Sequence, residues 1–246
     1  LREEGVFDRV VVIINATNPL EMTFLRDFQV DACLLLGTPG QYGFNSLAEI
    51  LAGKASPSGR LSDTWCYNNL AAPAMWNFTP QAYENAIELG VPDNADTYQV
   101  YQEGIYVGYR YFETIPGAAE RVNYPFGFGL SYTNFAISVL SAGCEGEDIC
   151  VRTSVKNTGN YAGKEVLQLY VSAPQGKLGK AVKVLAAFGK TRELAPGQAQ
   201  TLSFSFLLKD FASYDDTGVI FENAFVLEAG SYTVSLGKNV RDCEAC

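Results

Sequence analysis

Two short apolar runs near the start of the chain constrain its fold more than any other feature of the sequence. They occupy residues 10–14 and 32–36, and neither is interrupted by a polar residue. Such runs are typical of parallel strands that are covered on both faces. Between them, Asn18 supplies a helix N-cap, Pro19 the first helical position and Glu21 a capping-box carboxylate. The sequence therefore predicts a strand, a helix and a second, parallel strand.

A second helix is predicted after the glycine-rich turn 37–43. Residues 46–49, Ser-Leu-Ala-Glu, have the order of a capping box, and Gly53 is placed to end the helix. Two strands and two helices do not form a domain, because each parallel strand needs neighbours on its edges and layers on both faces. We expect residues 1–65 to belong to a larger α/β sheet whose other strands lie outside this sequence or come from another chain.

The rest of the chain divides into an aromatic-rich connection and an all-β part. Residues 66–132 combine many Pro, Asn and Gly residues with dense aromatic side chains, which predicts an ordered connection packed along its neighbours. Within residues 133–246, alternating runs such as 165–171, 201–207 and 231–236 are separated by turn residues. About 110 residues of this kind predict a β-sandwich of immunoglobulin-like size.

Composition excludes several classes of function. The net charge of −9 argues against binding to nucleic acid, which needs clusters of Lys and Arg. The longest apolar runs are far shorter than the roughly 20 residues of a membrane-spanning helix. The chain has no histidine, so catalytic triads with a histidine base and metal sites built on histidine are excluded.

The six cysteines leave two interpretations open. Independent free thiols are favoured, with Cys33 lying in an apolar strand. In the alternative, Cys144, Cys150, Cys243 and Cys246 meet at one pole of the sandwich. They would then form a zinc site or two disulfides.

A series of motifs along the chain resembles glycoside hydrolase family 3. They are Gly-Thr-Pro-Gly-Gln at 37–41, Pro-Ser-Gly-Arg-Leu at 57–61, Glu-Gly-Ile-Tyr-Val-Gly-Tyr-Arg-Tyr-Phe at 103–112, Tyr-Pro-Phe-Gly-Phe-Gly-Leu-Ser-Tyr-Thr at 124–133, Gly-Lys-Glu-Val-Leu-Gln-Leu-Tyr at 163–170 and Gly-Ser-Tyr-Thr-Val at 230–234. The resemblance covers nearly the whole chain. It implies the second half of the family's C-terminal α/β sandwich over residues 1–65, a connection over 66–132 and a fibronectin type III-like domain over 133–246.

The resemblance also implies which parts of the enzyme are absent. Members of the β-glucosidase kind hydrolyse terminal β-linked sugars with retention. Their nucleophile is an aspartate on a (β/α)8 barrel, and their acid/base, commonly a glutamate, lies upstream of the residues matched here. Neither segment is found in this sequence, so no catalytic residue is assigned and the chain alone is predicted to be inactive.

The implied partners are that barrel and the remaining strands of the α/β sandwich, in the same natural chain or in another copy. The substrate of the intact enzyme is a glycoside or oligosaccharide, and no cofactor is implied. Residues 68–75 are similar to an anaerobic bacterial group with a rearranged domain order. In that order the barrel follows residue 246.

Substrate-binding residues are expected at two places. The candidates implied by the resemblance are Gln41, Tyr42, Tyr109, Arg110 and Tyr111. The first two lie at the carboxyl edge of the parallel sheet, which faces the barrel in the intact enzyme, unless the turn is purely structural. The last three are expected at the rim of the active site, where an aromatic ring stacks on a sugar. In the alternative, Glu103 and Arg110 form a buried ion pair and the tyrosines pack a domain junction.

Two further classes of function remain open. A non-catalytic carbohydrate-binding module requires an exposed aromatic platform on the sandwich. A structural subunit requires that the sheet be completed by a second copy or by a separate barrel chain.

Overall fold

The first part of the fold is a pair of parallel strands. The computed structural model describes residues 5–92 and 97–246. Strand β1 (Val11–Ile14) pairs with β2 (Ala32–Leu35) in parallel, as the apolar runs predicted. Ile14 packs with Met22 and Trp65 in a small core on one face of this pair. On the other face Val11 and Ile13 are exposed, and no other described strand pairs with either edge.

Helix α1 is much shorter than predicted. It spans Phe24–Asp27 and begins at the N-cap position Thr23, so the expected start at Asn18–Pro19 is wrong. The reason is a tertiary contact: the side chain of Asn69 donates to the Pro19 carbonyl at 3.3 Å, and the Asn69 N–H donates to the Glu21 carboxylate at 2.8 Å. These bonds hold the residues before Thr23 out of the helix.

Helix α2 begins three residues earlier than the predicted capping box. It spans Gly43–Leu51, and a side chain at residue 43 would lie 2.5 Å from Cβ of Pro39, so glycine permits this start. Its end is as predicted. The Gly53 N–H bonds the Ile50 carbonyl and the Lys54 N–H bonds the Glu49 carbonyl, with Gly53 in the left-handed region, which is a Schellman motif.

The connection is ordered and built from short elements. Its strands are β3 (Trp65–Cys66), β4 (Gln81–Ala82), β5 (Thr97–Tyr98) and β6 (Val122–Tyr124), its one described α-helix is α3 (Tyr109–Phe112), and its 3-10 helices are Asn69–Ala71, Pro73–Asn77 and Ala119–Arg121. β3 pairs antiparallel with β6, and β4 with β5. Cys66, Phe112, Ala118 and Val122 form its own small core. The predicted limit between residues 65 and 66 falls inside β3, and the three-part division stays a prediction.

The second half of the chain is the predicted β-sandwich. One sheet has the order β11-β8-β7 and the other β10-β9-β14-β15. The strands of these sheets are β7 (Phe135–Glu145), β8 (Asp148–Asn157), β9 (Val166–Ser172), β10 (Val184–Lys190), β11 (Ala199–Leu207), β14 (Thr233–Gly237) and β15 (Cys243–Ala245). A separate hairpin of β12 (Ser213–Asp215) and β13 (Ala224–Val226) follows a 3-10 turn at Leu208–Phe211. The core between the sheets contains Val151, Val155, Leu167, Leu169, Val171, Leu194, Phe204 and Phe206. Across residues 5–92 and 97–246 no helix is long and apolar enough to cross a bilayer.

Polar contacts join the three parts. Arg60, which follows α2 near the end of the α/β part, forms a buried ion pair with Glu165 of the sandwich, 105 residues away in sequence. In the connection, Glu113 accepts from Arg241 at 2.8 Å. The sandwich is therefore fixed to both preceding parts by charge-assisted hydrogen bonds, which are stronger than neutral ones.

Candidate functional site

The turn that carries Gln41 and Tyr42 connects β2 to α2. Gly37 and Gly40 adopt positive φ angles of 65° and 62°, which glycine allows without strain. Both candidate side chains are exposed, Tyr42 by 75%. The Gly43 N–H donates to the Pro39 carbonyl, so part of the turn's hydrogen bonding is internal. The turn presents a polar amide and an aromatic ring at the carboxyl edge of the parallel pair.

A cleft of about 250 Å³ lies beside the predicted aromatic block. It is lined by Pro73, Trp76, Gln102, Glu103, Tyr106, Tyr111 and Ile115. Three aromatic rings and two polar side chains able to bond hydroxyl groups make it suitable for a sugar. Tyr111 is a predicted site residue that the structure places here. More than half of the Trp76 side chain is exposed, and its indole N–H donates to the Leu70 carbonyl at 3.0 Å.

The other members of the cleft were not proposed from the sequence as binding residues. Glu103 and Tyr106 belong to the same motif as Tyr111, but Trp76 and Gln102 lie outside it. A turn at residues 103–106, closed by the Tyr106 N–H on the Glu103 carbonyl, brings the motif back over the 3-10 helix Pro73–Asn77. The density of aromatic residues in the connection was the available signal.

The Tyr109 side chain packs between the connection and the sandwich. Its hydroxyl accepts a 2.8 Å hydrogen bond from the Leu185 N–H in β10, and its ring lies 4.6 Å from that of Phe126 and 6.1 Å from that of Tyr170. β10 has a register shift between Leu185 and Ala187, where this bond forms. These contacts favour the domain-junction alternative for Tyr109, since its hydroxyl and ring contact Leu185 and Tyr170 of the sandwich.

We expect Tyr109→Phe to destabilise the chain by about 1–3 kcal/mol, because the half-buried N–H of Leu185 loses its acceptor. Tyr111→Phe is the matched control, since the Tyr111 hydroxyl makes no hydrogen bond to the part of the chain that the structure describes. Urea unfolding of the two variants measures the difference. Equal midpoints would contradict the role given to Tyr109.

Arg110 does not form the buried ion pair that was the structural alternative for it. Among the described residues Glu103 and Arg110 make no salt bridge, so this prediction is wrong. Gly104 and Gly108, with φ angles of 55° and 57°, turn the backbone between the two residues. Glu103 lines the cleft, whereas Arg110 lies half-buried on α3. No hydrogen bond, ion pair or ring contact among described residues joins Arg110 to Gln41 or Tyr42.

The four cysteines of the zinc alternative do not come together. Cys144 and Cys150 lie on β7 and β8 of one sheet, and Cys243 lies on β15 of the other. Within the described ranges no group of three or more His, Cys, Asp or Glu side chains is placed to hold a metal ion, and all six thiols are free. Lys183 donates to Cys243 Sγ at 3.2 Å.

Three carboxylates that the described part of the chain buries, Glu165, Glu228 and Asp215, are engaged in structural contacts. Glu165 pairs with Arg60, and Glu228 pairs with Lys180 and accepts from the Lys177 N–H at 2.6 Å. Asp215 accepts only backbone N–H groups. A retaining glycosidase needs two carboxyl groups about 5 Å apart at one site. The cleft contains Glu103 as its single carboxylate, so the described residues offer no such pair there.

Comparison with known proteins decides the family. Residues 4–109 match the Glycosyl hydrolase family 3 C-terminal domain, and residues 165–240 match the Fibronectin type III-like domain. The chain belongs to glycoside hydrolase family 3. It corresponds to the C-terminal region of that family, as the motifs predicted.

The family 3 relatives are much longer than this chain. Beta-glucosidase A of Butyrivibrio fibrisolvens is 43% identical over 96% of the chain, which spans 29% of that protein. A beta-glucosidase of Ruminococcus albus is 42% identical over 98% of the chain, which spans 24% of it. The chain therefore covers about a quarter of the length of the curated relatives it matches.

Solved family 3 structures share the fold. The beta-glucosidase of Paenibacillus barengoltzii has a TM-score of 0.88 at 36% identity, over 98% of this chain and 25% of its own. Beta-glucosidase 3B of Thermotoga neapolitana, solved in complex with glucose, has a TM-score of 0.83 at 36% identity, over 98% of this chain and 31% of its own. The α/β and β-sandwich architecture of the family 3 region is thus confirmed.

Proposed function

We propose that this chain works within a larger β-glucosidase that releases terminal β-linked sugars from glycosides with retention. The observation that carries the proposal is the match of almost the whole chain, at 42–43% identity, to proteins named as β-glucosidases. The solved complex of a related enzyme with glucose supports glucose as the sugar. Xylose and N-acetylglucosamine are the competing sugars that the experiment below distinguishes.

The catalytic carboxylates of this enzyme lie outside the 246 residues. The buried acids of the chain hold ion pairs or loops in place, and an acid so engaged is not available as a nucleophile. A (β/α)8 barrel and the missing part of the α/β sandwich supply the nucleophile and the acid/base. Two carboxyl groups are sufficient for the reaction, so no cofactor takes part.

The chain itself completes the α/β sandwich and braces the barrel. The exposed face of the parallel pair, which carries Val11 and Ile13, is the surface on which the missing layers pack. An apolar sheet face and unpaired strand edges are normally covered in parallel sheets. In the alternative, a second copy of the chain covers this face and pairs with these edges.

Sugar binding by the chain is assigned to the two regions described above. Gln41 and Tyr42 contact the substrate from the turn after β2. Tyr111, with Trp76 and Tyr106, offers aromatic rings on which the C–H face of a sugar stacks. Arg110 is the residue before Tyr111 in the sequence, beside this cleft. Tyr109 holds α3 against the sandwich and does not touch the sugar.

Hydrolysis of aryl β-glucosides tests this function. We expect the purified 246-residue chain to give no turnover above the blank, and the intact enzyme to hydrolyse aryl β-glucoside faster than aryl β-xyloside or aryl β-N-acetylglucosaminide. Turnover by the chain alone would mean that a complete carboxylate pair lies within it. An intact enzyme without activity on any of the three glycosides would overturn the proposal.

A further inference from the structure

A loop of the sandwich contacts the wall of the cleft. Residues 173–183 link β9 to β10 and are called here the β9–β10 loop. A methyl group at Gly179 in this loop would lie 3.1 Å from the Tyr106 hydroxyl oxygen, so the two residues are nearly in contact. Tyr106 is one of the rings that line the cleft. The hydroxyl end of this ring therefore rests on the sandwich.

Two hydrogen bonds continue this contact beyond Gly179. The Val182 N–H donates to Thr114 Oγ1 at 2.9 Å, and the Leu185 N–H donates to the Tyr109 hydroxyl at 2.8 Å. Thr114 directly precedes Ile115, which also lines the cleft. The end of the loop is therefore fixed to residues beside the cleft.

A buried carboxylate fixes the start of the loop. Glu228, which follows β13, forms an ion pair with Lys180, and the two side chains are only 8% and 6% exposed. The same carboxylate accepts the N–H groups of Lys177 at 2.6 Å and Leu178 at 3.3 Å. Lys180 Nζ also donates to the Leu178 carbonyl at 3.2 Å. The polar groups on both sides of Gly179 are thus held by one side chain.

Two glycines let the loop pack closely around Glu228. A Cβ at Gly176 would overlap the Glu228 carboxylate, and one at Gly230 would lie 2.7 Å from Cβ of Pro174. The Tyr232 hydroxyl donates to the Glu228 carbonyl at 2.9 Å, so the backbone that carries the carboxylate is held as well. Packing of this kind leaves the loop little room to shift while Glu228 is in place.

We propose that Glu228 is a positioning residue of the cleft. Through the β9–β10 loop it sets the place of the Tyr106 ring, and so the spacing of the rings on which a sugar stacks. Without the carboxylate, Lys180 is a buried charge with no counter-charge, and the loop opens to bring it to water. This role rests on the proposed function, in which the cleft binds a sugar. The contacts are internal to the chain, so they do not depend on which part of the longer enzyme lies against the cleft.

Kinetics and hydrogen exchange of the intact enzyme test this role. We expect Glu228→Gln to raise the KM for a β-linked gluco-oligosaccharide roughly two- to ten-fold, the effect of weakening one aromatic stacking contact. kcat should stay unchanged, which is the mark of lost substrate binding. The amides of residues 103–112 should exchange faster, because the cleft wall loses its support. Glu165→Gln breaks a second buried ion pair of the sandwich, and as the matched control it should change neither KM nor this exchange.

Gly179→Ala tests the contact with Tyr106 without breaking an ion pair. Gly179 does not have a positive φ angle, so alanine fits its backbone, but the methyl group must displace the Tyr106 hydroxyl by a few tenths of an ångström. We expect KM to rise by about two-fold or more in the wild type and to stay unchanged in a Tyr106→Phe background, where the hydroxyl is absent. Such a difference shows that the two residues act through each other.

Exchange and kinetics also separate this role from the proposed function. If residues 103–112 exchange in Glu228→Gln as slowly as in the wild type, or equally fast in Glu165→Gln, the role of Glu228 is overturned. Should Glu228→Gln fail to fold, an effect of Gly179→Ala that is the same with and without the Tyr106 hydroxyl overturns it. Tyr106→Ala shows whether the cleft binds sugar. An unchanged KM in that variant rejects sugar binding there, while faster exchange in Glu228→Gln still supports its positioning of the ring.

Discussion

Glu165→Gln is expected to destabilise the chain by about 3–5 kcal/mol, the usual cost of breaking a buried ion pair from one side. Arg60 and Glu165 are only 8% and 3% exposed. The guanidinium also donates to the Gly59 carbonyl at 3.1 Å, but its Nε has no partner among the described residues. Without the carboxylate, a buried positive charge remains with little compensation.

Equilibrium urea unfolding measures this effect, and two controls define it. Glu147→Gln removes an exposed pair with Lys209, at 3.6 Å, and should change stability by less than about 1 kcal/mol. The double replacement Arg60→Met with Glu165→Leu should recover most of the loss, because no unpaired charge is left inside. A Glu165→Gln variant as stable as the Glu147→Gln control would show that water reaches the Arg60 site.

Gly237→Ala is expected to cost at least about 3 kcal/mol, because the backbone of β15 leaves no space for a methyl group. Gly237 is buried at the end of β14 and pairs with Cys243. A Cβ at residue 237 would overlap the Asp242 carbonyl oxygen and Cα of Cys243. The Lys238 N–H bonds the same carbonyl at 2.9 Å, so the turn cannot open without losing that bond.

Gly143→Ala is the matched control for this prediction. Gly143 also lies in a strand, β7, but a Cβ there meets no atom within 4 Å. We expect it to be neutral or slightly stabilising, since alanine reduces the freedom of the unfolded chain. Thermal unfolding followed by circular dichroism compares the two. Similar melting temperatures would mean that β15 moves aside at little cost and contributes little to the sandwich.

Strands β1, β2 and β11 could be predicted from the sequence because each depends on a local pattern of side chains. The apolar runs of β1 and β2 and the alternation in β11 both lie where they were expected. The start of helix α1 could not be predicted, because it depends on a hydrogen bond from Asn69, which lies 50 residues after Pro19. A capping pattern competes poorly with direct tertiary hydrogen bonds to the same groups.

The site could be predicted only in part. Tyr109 and Tyr111 are two residues apart in one motif, yet one bonds β10 and the other lines the cleft. That difference arises from the fold of the sandwich, which sequence spacing does not express. The loop between β12 and β13 could not be predicted either, because nothing in the sequence shows that the Asp215 carboxylate accepts four backbone N–H groups from it. Whether Gln41 and Tyr42 touch sugar stays a prediction.

The unpaired edges of β1 and β2 have a consequence for handling this polypeptide. Within the described residues, both strands offer free backbone groups beside an exposed apolar face. An edge of this kind is a template for adding strands from other molecules. Prepared apart from the rest of its enzyme, the polypeptide should assemble into aggregates at a rate set by its concentration. Dilution, more than cooling, should then prolong its life in solution.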